Sequence, residues 1–137
     1  MSAVDPARLE PVFAADARVR FAYVFGSVAE GTDRPNSDVD LAVSVHPRGT
    51  LLDDARRHDA IVGALRREDV DLVVLEDAPL WLAYRIVAGG TVFSRDDVAR
   101  VRHRAAVERE FLDFKPFHDR HLAAMAQRAR TGRLSRG

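Results

Sequence analysis

A chain of 137 residues, with 21 basic and 21 acidic side chains and no net formal charge, is expected to fold as one domain. The charge balance excludes a general polyanion binder, so no direct nucleic-acid binding is expected. The absence of cysteine excludes disulfides, thiolate metal sites and cysteine nucleophiles, and suits a reducing compartment.

The first residues, Met1 to Pro6, lack a basic start followed by an apolar run, so no secretory leader is read. No apolar stretch approaches the roughly 20 residues of a membrane span, and a cytoplasmic protein is expected. Lys115 is the only lysine among the basic residues, a bias that fits a GC-rich genome.

Asp5-Pro6 predicts a helix start: a capping carboxylate, then proline at the first helical position. Leu9, Val12 and Phe13 continue with helical spacing, and Pro11 should bend the helix or restart it. Arg18 to Phe25 predicts a strand with Val19, Phe21, Tyr23 and Phe25 on one face. Gly26-Ser27 ends it, and a short helix and a turn-rich loop through Gly31 to Asn36 are expected to follow. Asp38 to Val45 predicts a second strand, stopped by Pro47 and Gly49. Leu51 to Arg67 reads as an amphipathic helix, with Leu51, Leu52, Ala55, Ile61, Val62 and Leu65 on its apolar stripe. Asp53-Asp54 is the acidic bias of its first turn.

Asp69 to Leu75 predicts a third strand, apolar enough to be central. Pro79 to Ala88 predicts a helix ended by Gly89-Gly90, and Thr91-Val92-Phe93 a short edge strand. Ser94 and Asp97 have capping-box spacing, with Asp in place of Glu or Gln. A long helix through Val98, Val101, Ala105, Phe111 and Leu112 should follow. Pro116 is expected to kink or split it, and Thr131-Gly132-Arg133 to stop it. The order predicts an α/β (α+β) domain, a small mixed β-sheet backed by helices. Its core would span about residues 8–93, a C-terminal helical extension about 94–131, and a disordered tail 132–137.

Two features carry chemistry. A turn that follows a strand and opens a helix leaves backbone N–H groups free at the positive end of the helix dipole. Gly26 lets a phosphate approach the backbone and Ser27 adds a hydroxyl donor, although a Gly-Ser pair alone is more often just a turn. Asp38 and Asp40, two apart on a predicted strand, point to one face while Val39 and Leu41 point to the core. Adjacent carboxylates repel, and such oxygen donors suit Mg²⁺, which is held by one or two carboxylates plus substrate phosphates. An isolated Asp-x-Asp is more often a solvated strand face.

Asp69 and Asp71 share a face of the third predicted strand. If the second and third strands are neighbours, Asp71 meets Asp38 and Asp40. Three carboxylates could then hold two metal ions, which stabilise both the attacking and the leaving oxygen of an in-line displacement at phosphorus. Asp71 could also orient or deprotonate the attacking hydroxyl. Asp69, nearer the strand start, reads as a solvated end residue, and Asp71 is preferred.

The run Phe25-Gly26-Ser27-Val28-Ala29-Glu30-Gly31, then Asn36-Ser37-Asp38-Val39-Asp40-Leu41-Ala42-Val43, with Val70-Asp71-Leu72-Val73 later, resembles the DNA polymerase β-like nucleotidyltransferase superfamily. More narrowly, it is similar to the minimal nucleotidyltransferases (MNT), over about residues 8 to 115. Gly89-Gly90-Thr91-Val92-Phe93 and Asp113-Phe114-Lys115-Pro116 resemble the C-terminal half of that family. Glu30 departs from the pattern: many relatives carry arginine there, and a carboxylate offers no phosphate contact.

The resemblance implies that Gly26 and Ser27 contact the nucleotide phosphates. It implies that Asp38, Asp40 and Asp71 are the catalytic residues, with Asp38 and Asp40 binding Mg²⁺ and Asp71 completing the site. ATP would be the substrate. Stand-alone bacterial members are commonly antitoxins that transfer AMP to a tyrosine of a partner HEPN-domain toxin, usually an RNase. A protein adenylyltransferase in a hetero-oligomer with such a toxin is therefore the expected function. The chain leaves no room for the extra substrate domain of larger relatives, which favours a protein acceptor. A small-molecule (aminoglycoside-type) nucleotidyltransferase and a non-catalytic antitoxin acting by contact are the alternatives.

Trp81 and Arg85, with Tyr84, lie on one predicted helix and read either as a partner surface or as the edge of a core helix. His118 and His121 are spaced like a ligand pair but read as a surface pair, and Arg100, Arg102, Arg104 and Arg109 as a solvated helix face.

Overall fold

The structure, a computed structural model, describes residues 4–26 and 38–136, and their side chains except those of 116–118 and 130–136. A four-stranded mixed sheet in the order β3-β2-β1-β4 organises them. β1 (Val19–Phe25) runs antiparallel to β2 (Val39–Val45) and to β4 (Gly90–Ser94), and β2 runs parallel to β3 (Val70–Val74). Helices α1 (Pro6–Ala15) and α2 (Leu51–Leu65) cover one face, where Leu9, Phe13, Ile61 and Leu65 pack on Val39, Leu41 and Val43. Helix α3 (Leu80–Val87) and the first part of α4 (Asp97–Arg136) cover the other, where Ile86, Val87 and Val107 pack on Phe21, Tyr23 and Phe25. This is the small mixed sheet backed by helices that the element order predicts.

The helix starts follow local chemistry. Asp5 accepts from the Ala7 N–H at 3.0 Å, with Pro6 at the first helical position. Thr50 and Asp53 form a reciprocal capping box that opens α2, a pairing the sequence reading missed. At the start of α4, Asp96 rather than Ser94 caps, accepting from the Ala99 N–H, while the Ser94 hydroxyl donates to the Asp97 carboxylate at 2.6 Å.

Several expectations are corrected. A register shift between Val19 and Phe21 puts Val19 on the α1/α2 side and Phe21, Tyr23 and Phe25 on the other, because the extra residue of a bulge reverses the alternation. β3 is an edge strand, not a central one. Its apolar run is covered from above and below, Leu72 by the α1/α2 layer and Val73 by the α3/α4 layer. Leu51 and Leu52 are exposed, and the stripe of α2 is made by Arg57, Ile61 and Leu65. α2 ends at Leu65 because Arg66 turns into the left-handed region, φ 56°. α1 contains Pro11 without restarting.

α4 likewise runs unbroken through position 116 and past the expected stop at Thr131-Gly132-Arg133, to Arg136. A proline or glycine in an exposed helix costs roughly 1–3 kcal/mol, a penalty that does not by itself end the helix.

Polar tethers hold the layers. Glu76, in the 3₁₀ turn Leu75–Asp77, accepts from the Ser44 hydroxyl at 2.6 Å and the Val45 N–H at 2.8 Å. Buried Arg57 donates to Asp16 at 2.6 Å and to Asp54 at 3.1 Å, pinning α2 to the end of α1. Among the described residues, no helix is long and apolar enough to cross a membrane.

Candidate active site

Strand register builds the site. Phe25 pairs with Asp40 across β1 and β2, and Asp40 pairs with Asp71 across the parallel β2 and β3. The end of β1 and the beginnings of β2 and β3 therefore meet at one end of the sheet. Val39, Leu41, Val70 and Leu72 pack on the α1/α2 side, which turns Asp40 and Asp71 to the α3 side. Asp38 immediately precedes β2 and is exposed, Asp40 is half-buried, and Asp71 is exposed.

Gly26 sits directly against Asp40. Its φ is +76°, in the left-handed region, and a Cβ built on it would collide with the Asp40 carboxylate. Glycine is thus required twice, for the backbone angle and for the space the carboxylate occupies.

Burial is the largest cause holding the Asp40 carboxyl above its ordinary range, and the charge of Asp71 adds to it. The Arg85 guanidinium pulls the other way, and Asp38 pushes up again. Asp38 and Asp71 therefore stand close enough for their like charges to be felt at Asp40.

Arg85 reaches this cluster because α3 ends against β1. A Cβ on Gly89 would strike the Val24 carbonyl oxygen, and Gly90 pairs with Val24. The sequence reading left Arg85 either on a partner surface or at the edge of a core helix. Helical spacing alone carried no signal of its second neighbour, which depends on how the strand and helix ends meet.

Asp69 is not at the site. Its carboxylate is held by the Arg67 guanidinium, Nε donating at 2.6 Å, which keeps it below the usual carboxylate range. Its carbonyl accepts from the Val39 N–H at 2.8 Å. Ser27, Glu30 and the predicted loop Gly31 to Asn36 lie outside the described residues. His121 is exposed, while Arg100 and Arg104 pair along the helix with Asp97 and Glu108.

Among the described residues, no group of three or more His, Asp or Glu side chains is gathered closely enough to hold a metal ion. The donor chemistry of the cluster nonetheless fits a hard cation. It offers only oxygens, and the like-charge penalty on Asp40 is one that a bound cation would relieve.

The sequence matches the family described as polymerase beta, nucleotidyltransferase, over residues 7–98. The chain belongs to this nucleotidyltransferase family. No curated protein matches it by sequence. Among solved structures, a toxin–antitoxin complex with AMP-PNP contains a chain that is similar at 21% identity and TM-score 0.66, over 87% of this chain and 99% of that one. The complex of a tri-AMPylated Shewanella oneidensis HEPN toxin with its MNT antitoxin gives 19% identity and TM-score 0.58, over 85% and 95%. A protein named as a minimal nucleotidyltransferase is 37% identical, with TM-score 0.53, over 61% of this chain and 87% of that one. These likenesses agree with the polymerase beta-like fold built by the four-stranded sheet.

Proposed function

We propose that this nucleotidyltransferase transfers AMP from ATP to a tyrosine of a HEPN-domain toxin and thereby acts as its antitoxin. The observation that carries the reading is the register pair Asp40–Asp71, with Asp40 packed against Gly26. The similar chains in toxin–antitoxin complexes, one with an ATP analogue and one with an AMPylated toxin, support the choice of donor and acceptor.

Asp38 and Asp40, with Asp71, are the residues that would hold Mg²⁺. When bound, the metal supplies positive charge against the phosphate oxygens and the leaving group. Gly26, with no side chain, leaves its backbone open to a phosphate, and Ser27 would add a hydroxyl donor. The acceptor hydroxyl oxygen forms a bond to the α-phosphorus as the bond from that phosphorus to the β-phosphate bridging oxygen breaks. Pyrophosphate departs, and the hydroxyl proton passes to Asp71, the exposed carboxylate of the pair.

The test is to incubate the purified chain with labelled ATP, Mg²⁺ and the HEPN-type protein encoded beside it. Label is expected on that protein, and Asp38→Asn or Asp40→Asn should abolish it without loss of fold. Full transfer by either variant would sink the metal assignment. Label on an aminoglycoside instead of a protein would replace the acceptor.

A further inference from the structure

α4 continues far beyond the body that anchors it. Its 40 residues span about 60 Å, and its first part packs on α3 and β1. Residues 119–129 are exposed throughout. An unsupported arm of this kind is marginal in water unless something packs on it.

The arm is not polar all round. Leu122 and Met125, three apart and so on one face, are 49% and 47% exposed. Phe111 and Phe114 lie eleven residues earlier in each case, about three turns of an ordinary α-helix, which keeps them on the same seam. At its inner end the seam opens into a groove of about 660 Å³ between α3 and α4. Tyr84 and Phe111, stacked with ring centroids 3.8 Å apart, are joined there by Trp81, which is 63% exposed.

Charge selects the occupant. From Lys115 to Arg136 the sequence carries six cations, Lys115, Arg120, Arg128, Arg130, Arg133 and Arg136, against one carboxylate, Asp119. Asp119 already accepts from Lys115 at 3.2 Å. Five arginines on one arm repel a second copy of this chain and attract an acidic surface. The groove also adjoins the active site. Trp81 and Arg85 are one turn apart on α3, about 6 Å along its axis, and Arg85 is the residue whose charge reaches Asp40.

We infer that the groove between α3 and α4, with the apolar seam of the arm, is the docking surface for the acceptor protein, which enters with an acidic helix bearing an apolar face. The inference rests on the protein-acceptor reading above. A protein seated in this groove stands beside the carboxylates, so docking and delivery of the hydroxyl are one event.

The test uses the full chain, the neighbouring HEPN-type protein and two variants, Trp81→Ser and the double Leu122→Ser/Met125→Ser. Both variants should keep the wild-type circular dichroism and MgATP affinity. Their Kd for the HEPN-type protein should rise roughly tenfold or more, as when an aromatic or apolar anchor is lost from an interface centre. Arg120→Glu/Arg128→Glu should weaken binding and flatten its salt dependence. Wild-type Kd and transfer rate in all three variants would overturn the inference while leaving the transferase reading intact. So would an arm whose variants lose affinity only for a 20-nucleotide RNA or for phosphatidylserine vesicles. Wild-type chain that binds the protein without labelling it would overturn the chemistry, and the variant Kd values would still decide the surface. Wild-type chain that neither binds nor labels it would overturn both.

Discussion

Gly26→Ala should separate the two reasons for glycine at the centre of the site. An alanine at φ +76° pays the left-handed penalty of about 1–2 kcal/mol. For a domain of this size that lowers Tm by about 3–10 °C. The second cost is local. The atom that the new Cβ meets is the free end of the Asp40 side chain, which can rotate away while the backbone stays in place. Stability should therefore fall by little more than the backbone penalty, while the carboxylate is displaced. A displacement near 1 Å at a reacting centre costs on the order of 100-fold in rate. Gly26→Asn sharpens the comparison, because asparagine tolerates the left-handed region better but carries the same Cβ. Thermal melts should rank wild type above Asn above Ala, while labelled AMP transfer should be lost in both variants. Equal melting losses for Ala and Asn would refute the backbone argument. Wild-type transfer by Gly26→Ala would show that Asp40 need not occupy the position it holds against Gly26.

Four further outcomes follow from the packing and charges. Asp40 has a folded-state pKa above its ordinary value of 3.8, so the fold prefers its protonated form, and that contribution is lost as pH rises through the folded pKa. Asp40→Asn should therefore melt above wild type at pH 7 in metal-free buffer, with the gap closing below pH 3.8; a lower Tm at pH 7 would contradict the cluster. Arg85→Ala should push the Asp40 carboxyl still higher in a carbon-13 titration, and no change would break the link between α3 and the site. Arg57→Ala strands the Asp16 carboxylate, while Asp54 keeps its pair with Arg48, and should cost about 1–3 kcal/mol in urea unfolding, whereas Arg57→Met, which keeps the stem, should recover part of it. The Tyr23 hydroxyl is buried beside Arg100, with no hydrogen bond of ordinary geometry among the described residues, so Tyr23→Phe should change stability by no more than about 1 kcal/mol in either direction by the same method.

What the sequence could disclose was whatever depends on period and on local chemistry. Alternation along β2 put Val39 and Leu41 in the core and Asp40 on the other face, and Asp5-Pro6 marked a helix start at its true position. The meeting of Asp40 with Asp71 was conditional on strand order, which no single segment encodes, and the parallel pairing of β2 with β3 supplies it. Where the reading erred, a local pattern lost to tertiary context. The bulge that moves Val19 to the other face, the edge position of β3 and the passage of α4 through Pro116 all depend on neighbours distant in sequence, or on the lack of them. Arg85 belongs to the same class, since only the contact of α3 with the end of β1 turns a surface arginine into a neighbour of the carboxylates.

That contact bears on how substrate enters. Three carboxylates and one guanidinium leave the end of the sheet with a surplus of negative charge, and on the proposed reading the substrate itself is a polyanion. A nucleotide triphosphate approaching without a cation meets repulsion that Arg85 only partly offsets. The core tolerates this arrangement because it is confined to the exposed rim, while both faces of the sheet are closed by apolar packing from α1 and α2 on one side and α3 and α4 on the other. On the proposed reading, the like-charge penalty built into the fold becomes part of the binding free energy of a divalent ion, because the ion relieves it. Nucleotide affinity should then depend steeply on that ion, and Asp40→Asn, which removes one of the repelling charges, should flatten the dependence even as it ends transfer. ATP titrations at fixed ionic strength with and without Mg²⁺ measure this directly. An affinity that is metal-independent in the wild-type chain would mean that the carboxylates at the end of the sheet serve some purpose other than holding the cation.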